Sequence, residues 1–201
     1  MPMKPTTPSR RGLRRFGRDR SGVAAVEFAL LLPVMLTLYF GVAEIANALM
    51  VNRKVTALNR TLADLTAQTG SISDGDMSNI FDAAQTVMMP YTDVGPGMVV
   101  ASIVIDDTGL ARVCWSSQRN ATALGRGATV TIPAEMRIPS TSLIMARTTY
   151  RFTPVIGHLI TGPITLGDRP LNMRPRNGKT GGTQSIEQID RARFNICPTF
   201  S

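Results

Sequence analysis

Apolar positions fall into two regimes along the chain. From Val23 to Phe40 the sequence reads VAAVEFALLLPVMLTLYF, broken by a single charge, Glu27. At the helical rise this stretch spans about 27 Å, close to the hydrocarbon thickness of a bilayer. The run continues through GVAEIANALMV, so a transmembrane helix over 23–51 is expected. Beyond it Val55, Leu58, Leu62 and Leu65 recur at three- to four-residue spacing, while Arg53, Arg60 and Asp64 fall mostly elsewhere. That spacing extends the helix to about Thr69 as an amphipathic stem over 52–70, ended by Gly70 and the Ser/Asp/Gly run behind it. The stem's apolar stripe suits either a seam between stems or packing on the chain's own head. Pro33, inside the apolar run, removes one helical hydrogen bond and is expected to kink the helix.

From residue 71 the periods shorten. Asp76 to Met89 reads as a short helix closed by Pro90, and Met98 to Ile105 (MVVASIVI) as a strand. Asp106-Asp-Thr-Gly109 is a turn signal, with Leu110 to Ser117 as the hairpin partner. Thr129 to Ile132 is a further short strand bounded by Pro133. Leu143 to Phe152 is a longer one, with Ile144, Ala146, Thr148, Tyr150 and Phe152 on one face. From Pro154 through Gly182 prolines and glycines recur every few residues, which predicts an irregular flap. No strand alternates with further long helices, which argues against a parallel sheet. The expected fold is α+β: a long N-terminal helix laid against a small antiparallel sheet of three to five strands, with the head occupying 71–201.

Composition sharpens this picture only through charge. With 201 residues, 43% hydrophobic and 18% charged, the chain is neither a disordered tail nor a polytopic transporter. The formal net charge of +8 suggests a nucleic-acid binder until the charge is located. Lys4, Arg10, Arg11, Arg14, Arg15, Arg18 and Arg20 sit in residues 1–22 against Asp19 alone, so most of the excess lies in one N-terminal leader. Arginines could clamp phosphates. Placed just before an apolar helix, they instead hold the N-terminus in the cytoplasm. No nucleic-acid partner is expected.

Glu27 is the unusual residue of the run, because a carboxylate inside a membrane segment costs roughly 3 kcal/mol on insertion scales and usually has a partner. At an interface it could simply reach water. The constellation around it is more specific: a basic leader, Gly22, then Val-Ala-Ala-Val-Glu-Phe entering the helix. This resembles the prepilin peptidase site of type IV pilin-like proteins. The longer run RSGVAAVEFALLLP, Arg20 to Pro33, resembles the TadE-like minor pseudopilins of tight-adherence (Flp) pilus systems. The likeness is strongest over about 18–65, with a weaker one in Tyr150-Arg-Phe-Thr-Pro154 and in Arg174-Pro-Arg176 leading to Cys197. It implies a pilin-like fold, cleavage between Gly22 and Val23, and a Glu27 carboxylate that partners the new amine of Val23 in its own or a neighbouring chain. The major pilins of the system carry tyrosine after the glutamate where this chain has Phe28. The larger relatives carry a von Willebrand type A domain, whose Asp-x-Ser-x-Ser motif does not occur here.

Constellations for catalysis are missing from the sequence. His158 is the single histidine, set in the apolar VIGHLI, which removes two-histidine metal sites and leaves a packed or capping residue as the simplest reading. There is no Gly-x-Ser-x-Gly elbow. Asp106-Asp107 followed by Thr-Gly is a turn before it is a carboxylate pair. Gly125-Arg-Gly127 is too short to cradle phosphate, and Trp115 reads as a core anchor. Asn59-Arg-Thr61 and Asn120-Ala-Thr122 match the glycosylation sequon, which carries little weight in a bacterial chain. No enzyme activity, metal or cofactor is expected. The two cysteines, Cys114 and Cys197, both lie on the far side of the membrane from the arginine leader. In an oxidising compartment they are expected to form a disulfide, the alternative being two separate buried thiols.

The expected function is therefore that of a minor pseudopilin or pilus-assembly factor. It would span the bacterial inner membrane once, with a cytoplasmic N-terminus and a periplasmic head, and on assembly sit within the pilus. Its partners would be the prepilin peptidase, other pilins or pseudopilins, and the assembly machinery. The alternative is a periplasmic binding domain, either released after a twin-arginine-like signal (Ser9-Arg10-Arg11-Gly12-Leu13, with Ala46-Asn47-Ala48 as the cut) or held by an uncleaved anchor.

Overall fold

The computed structural model describes residues 21–91, 95–154, 162–182, 184–194 and 196–197. Most of the leader and His158 lie outside the described residues. Among the described residues the first element is a helix, α1 (Ser21–Ala67), which runs through Pro33. It is followed by β1 (Ser71–Ile72), α2 (Asp74–Gln85) and a 3-10 turn, Thr86–Met88. The sheet strands come next: β2 (Gly97–Ile105), β3 (Ala111–Arg119), β4 (Thr141–Phe152), β5 (Ile164–Gly167) and β6 (Leu171–Met173). Short strands β7 (Lys179–Gly181), β8 (Ile186–Gln188) and β9 (Asp190–Arg191) complete the described chain. The fold is α+β, and the main sheet is antiparallel in the order β3-β2-β4-β5, with β6 pairing further along the same edge of β4.

Two compact units divide at Ile45/Ala46. In the first, the large apolar side chains of α1 from Val23 to Ile45 are exposed around the whole helix. In the second, the helix becomes one-sided. Val51, Val55, Leu58, Leu62 and Ala63 are buried in one core with Met98, Val100 and Val104 of β2, Ile144, Ala146, Tyr150 and Phe152 of β4, and Met77, Ile80, Phe81 and Ala84 of α2. The amphipathic stripe of the stem is thus spent on the chain's own head. Asn52, Arg53, Thr56 and Arg60 form its outward face.

β2 is buried along its whole length because the sheet is covered on both faces. Ala101, Ile103, Ile105, Val113, Leu143 and Met145 form a second cluster with Ile132, Leu124, Val130 and Met136 from the β3–β4 connection. This explains the continuous apolar run MVVASIVI, since a strand buried on both sides need not alternate.

Several expected elements differ in detail. α2 begins at Asp74 rather than Asp76, because Ser73 is the N-cap. Its Oγ accepts from the Asp76 amide at 3.2 Å, and Asp76 Oδ2 accepts from the Ser73 amide at 3.0 Å, a reciprocal capping box. No strand forms over 129–132. The segment follows the free edge of β3 through one bridge, Thr129 to Arg112, and the Val130 amide donates to the Ala111 carbonyl at 3.0 Å. β3 begins at Ala111 and Leu110 is engaged with Asp106 in the turn, so the ladder finds no partner beyond Val130. The expected irregular flap contributes β5 and β6 to the main sheet. Gly167 there serves close approach: it has φ +89°, and a Cβ would clash with the Thr148 carbonyl oxygen and lie 2.8 Å from Val55 Cγ1 of the stem.

Candidate functional site

The candidate processing residues occupy the first turns of α1. Gly22, Val23 and Glu27 are all exposed, and among the described residues no atom beyond the helix's own adjoining backbone lies within 4 Å of where a Cβ on Gly22 would stand. Val23 and Glu27 are one turn apart, hence on one face of the helix. Cα–Cβ bonds in an α-helix tilt toward its N-terminus, so the Glu27 side chain leans toward Val23 rather than away from it. The helix has no acidic residue in its first turn. A carboxylate one turn in, on an apolar surface, is the group that could answer a positive charge created at position 23. Further along, Pro33 cannot donate to the carbonyl four residues earlier, and Thr37 Oγ1 donates to the Pro33 carbonyl at 2.7 Å.

The second candidate region is the attachment of the C-terminal tail. Cys114 and Cys197 are joined in a disulfide with Cα atoms 5.8 Å apart. The position of Cys114 has a local cause. The β2–β3 register slips between Ser102 and Ile103, so Ser102 faces Trp115 while Ile103 faces Val113, leaving Cys114 as the extra residue of a bulge. The bulge lets the consecutive residues Cys114 and Trp115 both enter the helix-side core. Trp115 anchors that core as the sequence suggests, and its Nε1 donates to the Ile189 carbonyl at 2.9 Å. The buried Gln188 amide completes the attachment: its Nε2 donates to the Cys197 carbonyl at 2.8 Å and its Oε1 accepts from the Cys197 amide at 3.3 Å. β9 then pairs in parallel with β1, and the buried Arg191 donates to the Ile72 carbonyl at 3.2 Å and to Asp74 at 2.8 Å. Arg193 reaches the other oxygen of Asp74 at 2.6 Å.

The Arg174-Pro-Arg176 segment closes the stem helix. The Arg176 amide donates to the Ala67 carbonyl at 2.8 Å and Asn177 Nδ2 to the Gln68 carbonyl at 2.7 Å, satisfying acceptors that a helix end leaves open. α1 has no basic residue in its last turn. Arg176, which pairs with Asp64 at 2.8 Å, brings a positive charge to that negative dipole end from far along the sequence.

Asp106 acts as a turn residue. One carboxylate oxygen accepts from Thr108 Oγ1 at 2.6 Å, the Thr108 amide at 3.0 Å and the Leu110 amide at 2.8 Å, and these bonds, the Thr108 hydroxyl first, hold its pKa below the usual aspartate value. Asp76 is likewise lowered, by the Ser73 hydroxyl and then the Ser73 amide. Among the described residues no three His, Cys, Asp or Glu side chains gather as a metal would require.

An apolar helix of membrane-spanning length, exposed throughout its first half and continued into an α+β head, suggests membrane anchoring. Residues 22–63 match the family model of TadE-like proteins, which covers both the candidate processing residues and the head-facing stripe of the stem. The match suggests a function related to Tad pili and association with a membrane pilus system; that family is not enzymatic. No curated protein and no solved structure matches the chain.

Proposed function

We propose that this chain is a minor pseudopilin, or pilus-assembly protein, of a tight-adherence secretion system. The single observation that carries the reading is the coincidence of the family match with a helix whose first half exposes its apolar side chains and whose first turns hold Gly22, Val23 and Glu27. On this reading the leader stays in the cytoplasm and α1 crosses the inner membrane with the head on the periplasmic side. The prepilin peptidase cuts between Gly22 and Val23. The cut creates an ammonium at Val23, and Glu27, leaning back along the helix, supplies the opposite charge. A paired carboxylate is tolerable in an apolar bundle where a lone one is not.

The fold narrows how such a protein would meet its neighbours. Since the stem buries its apolar stripe in its own head, apolar side-by-side contacts between helices are confined to α1 up to Met50, and contacts along the helix beyond it are polar. The function is association, with no reaction of its own.

The test is Glu27→Gln in cells that make the pilus. Membrane insertion and cleavage should stay largely intact, while crosslinking to other pilus proteins falls markedly. Full recovery of the variant with those proteins would reduce Glu27 to an interfacial residue and remove the charge-pairing step.

A further inference from the structure

Among the described residues of the second unit the most exposed large apolar side chains are Met89 at 62%, Leu49 at 57% and Met50 at 53%. Their placement is not scattered. Asn47, Met50 and Lys54 lie at i, i+3 and i+7 on one face of α1, and the loop after α2 is fastened along that face. Tyr91 Oη donates to Asn47 Oδ1 at 2.8 Å, and Lys54 Nζ donates to the Met89 carbonyl at 2.7 Å and the Val87 carbonyl at 3.2 Å. Met88 is fully buried beneath the loop, so its neighbour Met89 is turned outward. The same stretch of helix is where exposed side chains change character: apolar through Met50, polar from Asn52, then Arg53 and Lys54. The loop is therefore tied to the place where the helix surface stops matching hydrocarbon and begins to match headgroups.

We infer that the Met89–Pro90 tip is a second membrane contact, entering the headgroup–acyl boundary beside the point where α1 leaves the bilayer. The occupant of this apolar tip is lipid. Beside Met89 the patch holds Leu49 and Met50, the last exposed large apolar residues of α1. Tyr91 is of the amphipathic aromatic type that settles at membrane interfaces. Lys54 has three donors, of which two hold the loop, leaving the third for a lipid phosphate. A flexible thioether side chain also suits an irregular lipid boundary.

The inference rests on α1 being a membrane anchor, and the test separates the two. Full-length Met89→Trp and Leu36→Trp chains are placed in phosphatidylcholine–phosphatidylglycerol vesicles whose acyl chains carry bromine, near the headgroup for position 89 and near the chain terminus for position 36. The buried Trp115 of the wild-type chain gives the background. Lipid quenching of both introduced tryptophans, with the one at 89 shielded from aqueous acrylamide, is the expected result. Quenching at 36 alone would overturn the inference while leaving the anchor intact, whether 89 then answers to acrylamide (a loop in water) or to neither quencher (a loop covered by protein). No quenching at 36 would remove the anchor and the inference together. A measurement on the unmodified chain guards against misfolding of the variant. Met35 and Met89 are equally exposed at 63% and 62%, so in vesicles hydroxyl-radical oxidation should be slow at both. Oxidation of Met89 many times faster than Met35 would contradict the contact.

Discussion

Among the described residues nothing packs where a side chain on Gly22 would go, and that makes it a clean probe. Gly22→Phe should leave the helix and head unchanged and yet prevent shortening of the chain, since a peptidase that cuts after glycine has no room for the ring. The check is the mobility of the membrane-extracted variant, and a chain still shortened by its leader would contradict the cleavage assignment. The proposal for Gly22, Val23 and Glu27 rests on a local pattern, a glycine, small residues and one acid before an apolar run. Gln188 and Arg191 were not legible: Gln188 works through Cys197 and Arg191 through Ile72, a partner 119 residues away. No window of sequence shows a contact of that separation. Asp76 adds a pH dependence. Its pKa is held below the ordinary 3.8 by Ser73, so the folded state binds its proton less readily than the unfolded chain. The stabilisation is fully present above the ordinary value and is lost as pH falls through the lowered one. The stability difference between wild type and Asp76→Ala in urea should therefore be constant near neutrality and shrink in acid. A difference that grows on acidification would contradict the capping box.

Among the elements, α1 shows what periodicity can and cannot give. The spacing of Val55, Leu58 and Leu62 identified the buried stripe, but only the fold shows that the stripe faces the chain's own sheet. Leu58→Ala should cost about 2–5 kcal/mol in the unfolding of the head, the usual range for a fully buried leucine. A loss below 1 kcal/mol would mean that the stem is not seated on the sheet. Gly167→Ala should cost on the order of 1–3 kcal/mol, through its positive φ and the overpacking of Val55. The hairpin of β2 and β3 was legible from its Asp-Asp-Thr-Gly turn. β5 and β6 were hidden, because four- and three-residue strands set among prolines and glycines carry no periodicity of their own and form by adding to β4. The segment over 129–132 misled for the converse reason: β-branched residues suggest a strand, while the ladder beside Pro133 goes unmade.

For the molecule as a whole, the tail attachment determines which parts fail together. The disulfide encloses 83 residues, for which the chain-entropy model gives roughly 4–5 kcal/mol. Cys114→Ser with Cys197→Ser should lower head stability by a large share of that, and proteolysis should release the tail before α1. Alkylation of the membrane-bound protein provides the companion measurement: both thiols should label only after reduction, and full labelling without reductant would contradict both the bridge and a head in an oxidising compartment. The central claim, that this is a processed pilin-like protein rather than an exported or simply anchored one, is tested most directly by N-terminal sequencing of the protein purified from membranes. A mature N-terminus at Val23 is the predicted result; Leu49, the product of a signal-peptidase cut, or an intact Met1 would contradict it.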